Sequence, residues 1–228
     1  MPRYFGDNRK GDGMKMRLRH LWLFVTTSLI CGSAFCQTPS PGQVLLGELR
    51  AGGLILFFRH AHADVGEDQI TSPDYWKDCT KQRMLSAKGQ LTAHQLGIRL
   101  RGLSAPVSRV ISGDLCRAQK TAEMLQVGKP EISPNLNDYN TWKAQGNDVQ
   151  KLVDAYRSML SIVPAPGTNV VLVSHAQRGR YVAHPTLDLI EMGTVAIFRP
   201  NGSGGYELRA TVRPGDWDIL GYSESMLP

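Results

Sequence analysis

Two histidines in this sequence stand directly after apolar segments that have the composition of buried β-strands. The segment 54–58 leads into Arg59 and His60, and the segment 170–173 leads into Ser174 and His175. Continuous apolar runs of this length are typical of strands buried on both faces of a parallel sheet. Ligands of open α/β sheets bind at the carboxyl ends of such strands. As parallel neighbours, the two strands would place both imidazoles at the same edge.

A third predicted strand, 109–112, brings another guanidinium group to that edge. It is followed by Asp114, which can cap a helix over 115–125, and by Arg117 in the first turn of that helix. Helix N-termini and guanidinium groups both favour anions. The edge would then collect two imidazoles and two guanidinium groups with no carboxylate among them. Such a set is typical of a site for an oxyanion such as phosphate.

The remaining patterns predict an α/β domain around these segments. Apolar residues at helical spacing predict helices over 43–51, 87–103 and 148–161. The Gly-rich stretch 201–205 separates two strand-like segments and predicts a hairpin between 194–198 and 206–212. The polar segment 61–84 predicts a long irregular loop, and loops of that length usually carry function or are inserted. Strands that alternate with helices indicate a mostly parallel central sheet.

The excess of positive charge lies mainly in the first 36 residues. The 228 residues include 26 Lys+Arg and 20 Asp+Glu, which gives a formal charge of +6. Residues 1–36 hold six of the basic and two of the acidic residues, so the remainder carries +2. No basic stripe of the kind that binds nucleic acid is therefore expected in the folded part, and no nucleic-acid partner is predicted.

Residues 1–36 have the pattern of a secretory signal peptide. Basic residues at 15–19 precede an apolar run at 21–30, and small residues follow as far as Cys36. The run is shorter than the roughly 20 residues that span a bilayer. An uncleaved N-terminal anchor is the alternative. Met14 or Met16 are alternative starts for this signal.

The signal pattern sets the predicted domain organisation. We predict cleavage after residue 36, a linker and lead-in over 37–52, and one folded domain over 53–228. The predicted location is periplasmic or secreted, with the membrane involved only through the export signal. Cys79 and Cys116 are the two cysteines beyond the leader, and a lone pair in an oxidising compartment is a candidate disulfide. Two buried free thiols are the alternative.

Four segments occur in an order typical of one known family. They are Arg59-His60-Ala61, Leu85-Ser86-Ala87-Lys88-Gly89, the segment 112–122 that contains Arg117-Ala118 and Thr121-Ala122, and Val173-Ser174-His175. This ordered set resembles the histidine phosphatase superfamily, in the branch that contains cofactor-dependent phosphoglycerate mutase. The third segment has one residue more before its arginine than the family pattern. The resemblance implies a phosphoglycerate mutase-like, three-layer α/β sandwich with a mostly parallel central sheet.

The resemblance also implies a mechanism. His60 would be the nucleophile that takes the phosphoryl group on a ring nitrogen. Arg59, Arg117 and His175 would hold the phosphoryl oxygens, with His175 acting best as imidazolium. Phosphoryl transfer depends mainly on positioning and charge stabilisation. Water would then hydrolyse the phosphohistidine, so that no metal or other cofactor is implied.

The general acid is implied at one further position. The family places a Glu in a short segment after the arginine-bearing helix, and Asp138 stands there in this sequence. The Gly-containing tail of that segment is missing. A turn-forming Asp in an Asn-rich loop is the alternative role for Asp138. Asp64 and Glu67, in the loop after the nucleophile, are substitutes.

Further basic residues are candidates to bind another anionic group of the substrate. Arg178 and Arg180 follow the second strand-end histidine, and Arg83 lies in the long loop. A solvated basic loop is the alternative for the first two. His62, two positions after the nucleophile, lacks the neighbouring Cys or acid residues that complete a metal site, so no metal is predicted.

These interpretations converge on an exported phosphatase that hydrolyses a phosphomonoester through a phosphohistidine intermediate. The expected partner is a small-molecule phosphate ester, with an envelope sugar phosphate as one candidate. A non-catalytic phosphate-binding module of the same fold is one alternative. A mutase is another, disfavoured because the chain lacks the longer loops of phosphoglycerate mutases.

Overall fold

One six-stranded sheet forms the centre of the fold. The structure is a computed structural model and describes residues 39–220. The strands are β1 (Ile55–Arg59), β2 (Val107–Ser112), β3 (Pro130–Ile132), β4 (Asn169–Ser174), β5 (Val195–Pro200) and β6 (Tyr206–Val212). Their order across the sheet is β3-β2-β4-β1-β5-β6. The first four in that order are parallel, and β5 and β6 pair antiparallel as a hairpin. The predicted mostly parallel sheet and the hairpin are confirmed.

Helices cover both faces of this sheet. The α-helices of the described residues are α1 (Pro41–Ala51), α2 (Ala87–Gly102), α3 (Cys116–Leu125), α4 (Tyr139–Ala144) and α5 (Leu152–Leu160). The first three pack with Leu56 and Phe58 on one face, and the last two pack with Ile55 and Phe57 on the other. Both faces of β1 are buried, which explains its unbroken apolar sequence. The predicted three-layer architecture is therefore confirmed. No helix within residues 39–220 is both long and apolar enough to cross a bilayer.

The pairing of β1 with β4 places the two histidines side by side. Arg59 lies opposite Ser174 in the parallel register, so each strand ends at the same level. Beyond the strand, the His60 backbone N–H donates to the Ser174 carbonyl at 2.8 Å. His60 and His175 thus emerge from the same edge of the sheet, as the sequence predicted.

The start of α2 is docked onto the chain that follows the nucleophile candidate. Ser86 caps α2 by accepting the Gly89 N–H at 3.1 Å, and its hydroxyl donates to the His62 carbonyl at 2.9 Å. A Cβ atom at position 89 would collide with that same carbonyl oxygen. Only glycine allows the helix to approach the backbone so closely, which explains the Ser-x-x-Gly spacing.

The start of α3 differs from the sequence prediction. The helix begins at Cys116, and Asp114 does not cap it. Instead, the Asp114 carboxylate accepts hydrogen bonds from the side-chain amides of Asn137 and Gln145, both at 2.6 Å. Because the carboxylate bonds to these two amides, it ties the loop after β2 to the loop before α4 and to the end of that helix.

The predicted leader, its cleavage point and the first residues of the linker lie outside the described residues. Within the predicted lead-in, α1 begins after Ser40, whose side chain accepts the Gln43 N–H. Leu45 and Leu49 of this helix are buried against the sheet with α2 and α3. The lead-in therefore contributes to the core of the domain.

Candidate active site

A cavity of about 790 Å³ is lined by the residues that follow β1 and β4. Its volume lies in the range of small-molecule sites. All of the predicted catalytic and substrate-binding residues line it, namely Arg59, His60, Arg83, Arg117, Asp138, His175, Arg178 and Arg180. The structure therefore brings the predicted set together around one space.

The geometry of His60 leaves one ring nitrogen available for chemistry. Its Nδ1 lies 2.8 Å from the Ala61 carbonyl oxygen. Because a carbonyl only accepts, the proton must be on Nδ1 and the lone pair on Nε2. The Nε–H of Arg117 donates to that Nε2 at 3.3 Å. Nε2 is therefore the nucleophilic candidate, and Arg117 lies directly beside it.

The surroundings of His60 keep its ring neutral. Burial is the main cause of a pKa well below the usual value, and a protonated His175 or the Arg117 guanidinium beside the ring lowers the pKa further. The hydrogen bond to Ala61 opposes this shift. A neutral imidazole carries the lone pair that a nucleophile needs.

The ring of His175 packs against that of His60, and its nitrogen atoms form no hydrogen bonds with the described residues. The two ring centroids are 5.1 Å apart, with the planes tilted by 59°. Both ring nitrogens of His175 are buried and have no hydrogen-bond partner among the described residues. Burial, followed by the charges of Arg117, Arg59 and Arg83, holds the His175 pKa well below its usual value. In the ligand-free protein His175 is therefore neutral, so the expected imidazolium requires an anion beside it.

Arg59 also carries an unused donor at this edge. Its Nη1 donates to the Ile190 carbonyl at 2.6 Å, whereas its Nε is buried without a partner in the described part of the chain. Burial lowers the pKa of Arg59, and the charges of Arg178, Arg83 and Arg117 lower it further. Buried polar groups without partners are costly, and a bound anion would satisfy several of them at once.

The expectation that no carboxylate joins this cluster is wrong. The Arg117 side chain is only 2% exposed, and two aspartates flank it. Asp68 Oδ1 accepts from Arg117 Nη1 at 2.9 Å, and Asp138 Oδ2 lies 3.8 Å from Arg117 Nη2. An isolated buried guanidinium is costly, and these carboxylates compensate its charge when the cavity holds no ligand.

Asp68 reaches the site because the long loop is anchored beside it. Cys79 and Cys116 form the predicted disulfide, which ties the loop to the first residue of α3. In the same region, Gln82 Oε1 accepts the Cys116 N–H at 2.8 Å. The backbone N–H of Arg83 then donates to Asp68 Oδ1 at 2.8 Å. Sequence reasoning found the cysteine pair but had no signal for Asp68.

Asp138 has a structural role as well as a place in the cavity wall. It is the N-cap of α4, where its Oδ1 accepts the Thr141 N–H at 2.9 Å. Asp138 therefore lines the cavity and also caps α4. Of the two substitutes, Glu67 lines the cavity, whereas Asp64 does not.

The outer part of the cavity is aromatic and basic. The rings of Tyr139 and Tyr181 lie 4.9 Å apart between their centroids, and Arg180 donates to the Tyr181 hydroxyl at 2.8 Å. Gln177, which sequence reasoning missed, also lines the cavity. Its Oε1 accepts the Ala183 N–H at 2.6 Å, and its buried Nε2 has no partner among residues 39–220. These groups are candidates to contact the organic part of a substrate.

Comparisons with known proteins identify a family for part of this chain. The family model of the histidine phosphatase superfamily (branch 1) matches residues 55–163. This part of the chain belongs to that superfamily. The matched range of the histidine phosphatase domain runs from β1 to just beyond α5. His175 lies outside the match, and the pairing of β4 with β1 brings it to the site.

Among the solved structures similar to the histidine phosphatase domain, one with a TM-score above 0.5 supports the fold. The protein histidine phosphatase SixA complexed with tungstate is 21% identical, with a TM-score of 0.51 over 72% of this chain and 98% of that one. A Nakamurella multipartitia protein proposed to be SixA is 19% identical, with a TM-score of 0.48 over 71% and 95%. An Escherichia coli K-12 protein proposed to be an α-ribazole-5′-phosphate phosphatase is 19% identical, with a TM-score of 0.46 over 70% and 95%. No curated protein matches the sequence.

Metal ligands do not cluster in the part of the chain that the structure describes. Between residues 39 and 220, no group of three or more His, Cys, Asp or Glu side chains is placed to hold a metal ion. His62, the metal-ligand candidate of the sequence, is not among the residues that line the cavity.

The neutral state of His175 predicts that anion binding takes up a proton. A bound dianion offsets the neighbouring guanidinium charges and raises the His175 pKa above its ligand-free value. Because the pKa is higher in the complex, affinity should rise as the pH falls between the two values. We expect sulfate, whose charge is constant across this range, to bind several-fold more tightly at pH 5.5 than at pH 8. Calorimetry in two buffers of different ionisation enthalpy would show the proton uptake.

Ring resonances provide the control for this prediction. His184 packs edge-on against Phe198 and does not line the cavity, so its signal should not respond to sulfate. The His175 signal should shift toward the imidazolium position when sulfate is added near pH 6.5. Sulfate affinity that is independent of pH would contradict the linkage.

Proposed function

We propose that this protein is a phosphatase that hydrolyses a phosphomonoester through a phosphohistidine on His60. The observation that carries this proposal is the set of unused polar atoms at the edge of the sheet. Arg59 Nε and both ring nitrogens of His175 are buried without partners in the described chain, beside the lone pair of His60 Nε2. A tetrahedral oxyanion at this position would contact a nucleophile and several donors together.

The first chemical step uses these groups in defined roles. His60 Nε2 attacks phosphorus while its Nδ1–H stays bonded to Ala61, which fixes the tautomer and the direction of the ring. Arg59, Arg117 and His175 hold the phosphoryl oxygens and stabilise the charge that spreads over them. Water then attacks the phosphohistidine and releases inorganic phosphate. The tungstate in the similar SixA structure is an oxyanion of the same shape.

When the alkoxide of an ester is a poor leaving group, its oxygen must be protonated as the P–O bond breaks. Two carboxylates flank Arg117 and face the cavity, Asp138 of the family pattern and Asp68 of the long loop. Arg83, Arg178 and Arg180 are proposed to bind the rest of the substrate, which we infer to be a small phosphorylated molecule such as an envelope sugar phosphate.

We also propose that the protein acts outside the cytoplasm, with residues 1–36 as a cleaved signal, 37–52 as linker and lead-in, and 53–228 as the catalytic domain. The disulfide between Cys79 and Cys116 supports this location, because such bonds persist in oxidising compartments.

Hydrolysis of p-nitrophenyl phosphate by the purified protein tests the proposed function. This ester has a good leaving group, so turnover depends little on the general acid. We expect hydrolysis that persists after treatment with a chelator, because the proposed steps use only side chains. Turnover that requires an added divalent metal would overturn the mechanism. Sulfate binding without any turnover would favour the non-catalytic phosphate-binding module.

A further inference from the structure

Two carboxylates flank Arg117, but they have different contacts. Asp68 is 11% exposed and lies 2.9 Å from Arg117, whereas Asp138 is 23% exposed and lies 3.8 Å from it. The reaction proposed above needs one proton donor. The contacts of the two carboxylates show which of them has an oxygen free to carry that proton. This inference rests on the proposed function.

Both oxygens of Asp138 already have partners. Oδ1 accepts the Thr141 N–H and caps α4, and Oδ2 faces the Arg117 guanidinium. An N-cap side chain stabilises its helix as an acceptor. A proton on this group would compete with those contacts, so Asp138 is well suited to hold α4 and to balance charge.

Asp68 leaves one oxygen open to the cavity. Both of its hydrogen bonds go to Oδ1, one from Arg117 Nη1 and one from the Arg83 backbone N–H. Oδ2 accepts no hydrogen bond from the residues that the structure describes, and it is not among the buried atoms without partners. Asp68 Oδ2 can therefore carry a proton and present it to a ligand while Oδ1 keeps the residue in place.

A single rigid group sets the distance between Asp68 and the nucleophile. Arg117 donates through Nε to His60 Nε2 at 3.3 Å and through Nη1 to Asp68 at 2.9 Å. The guanidinium is planar and fixed in shape. Asp68 and the atom that attacks phosphorus are thus held by the same guanidinium group.

We propose that Asp68 is the general acid for the leaving group. As the bond between His60 Nε2 and phosphorus forms, the ester P–O bond breaks and its electron pair goes to the leaving oxygen. The proton on Asp68 Oδ2 passes to that oxygen, which gives a neutral alcohol and an Asp68 carboxylate. In the second step, this carboxylate takes a proton from the attacking water as the oxygen of that water bonds to phosphorus and the N–P bond breaks.

The proton that Asp68 needs arrives with the substrate. The second ionisation of a phosphomonoester has a pKa of about 6, so the monoanion carries a proton into the site. Transfer of that proton to Asp68 leaves a dianionic phosphoryl group against the guanidinium groups. After the second step, the proton on Asp68 passes to the released phosphate, which leaves as the monoanion, and the Asp68 carboxylate is restored. Water is then the only other reactant of the cycle.

The test is the dependence of rate on the leaving group in Asp68→Asn and Asp138→Asn. The substrates are p-nitrophenyl phosphate, phenyl phosphate and p-nitrobenzyl phosphate, which form a series of increasingly basic leaving groups. General acid catalysis contributes about 10²–10⁴-fold. We expect Asp68→Asn to lower kcat/KM about 10²-fold or more for the benzyl ester and only a few-fold for the p-nitrophenyl ester. The slope of log kcat/KM against leaving-group pKa should become steeper.

The control variants separate this role from charge balance and from folding. Asn is as good an N-cap as Asp, so Asp138→Asn keeps α4 capped and should preserve the slope of the native protein. Asp74→Asn removes an exposed carboxylate of the same loop that does not line the cavity, so it should leave all three rates unchanged. Its backbone is left-handed, and Asn tolerates that conformation.

Each outcome has a defined meaning. An equal loss for all three esters in Asp68→Asn would mean that Asp68 only positions Arg117, and the proposal would be wrong. A slope that steepens in Asp138→Asn instead would assign the proton to Asp138. If the native protein hydrolyses none of the esters, the proposed function itself fails, and this inference fails with it.

Discussion

Replacing His60 with alanine is expected to abolish hydrolysis, with a loss of roughly 10⁴-fold or more in kcat, as is typical when a covalent nucleophile is removed. The reason is structural. His60 Nε2 is the lone-pair nitrogen at the centre of the site, because Nδ1 is used by the Ala61 carbonyl. The remaining cations can still bind an anion, so the variant should retain affinity for sulfate while losing turnover.

Two measurements check this prediction. Rapid mixing with a ³²P-labelled ester, followed by alkaline denaturation, should trap a phosphohistidine in the native protein and none in His60→Ala. His62→Ala is the matched control, because this histidine lies two positions later and does not line the cavity. It should keep both label and turnover. Hydrolysis by His60→Ala at a rate comparable to that of the native protein would contradict the proposed mechanism.

Loss of the disulfide is expected to be the largest effect on stability. Cys79 and Cys116 are separated by 37 positions, and opening a loop of this size costs about 3–4 kcal/mol in the free energy of unfolding. The double variant Cys79→Ala with Cys116→Ala removes the bond without leaving a free thiol. For a domain of this size, the loss corresponds to a fall in Tm of about 10 °C.

Activity should fall together with stability in this variant. The disulfide lies next to Arg117 in the chain, and the loop that it anchors carries Asp68 and Arg83 into the cavity wall. Urea titration gives the stability, and steady-state kinetics gives the KM. A reductant provides the control, because it should destabilise the native protein and leave the double variant unchanged. A difference in stability below about 1 kcal/mol would contradict this role of the bond.

The sequence predicted the parts of the site that depend on regular structure. The strands that precede His60 and His175 are continuous apolar runs, and their parallel pairing follows from general rules of α/β sheets. The position of Arg117 at this edge is predicted by the strand that precedes it and by the helix that begins beside it. Each of these local patterns is compatible with one main structure, so the sequence alone predicts that the two histidines and two arginines lie together.

The sequence did not predict the parts that depend on contacts between distant loops. Asp68 lies in an irregular segment with no periodicity, and its position depends on the disulfide, on Gln82 and on the Arg83 backbone. The short edge strand β3 has too few residues to show an alternating pattern. The position of Asp114 predicts a helix cap, but the side-chain amides of Asn137 and Gln145 bind its carboxylate instead.

The position of β1 in the sheet has a consequence for how the chain acquires its fold. This strand is the first of the described chain, yet its two neighbours, β4 and β5, come more than 100 positions later. During synthesis, both edges of the apolar strand β1 therefore remain unpaired until almost the whole domain has been synthesised. Pairings over such separations form slowly, and exposed edges invite aggregation. Newly made chains of this protein should therefore depend on chaperones until β5 is complete.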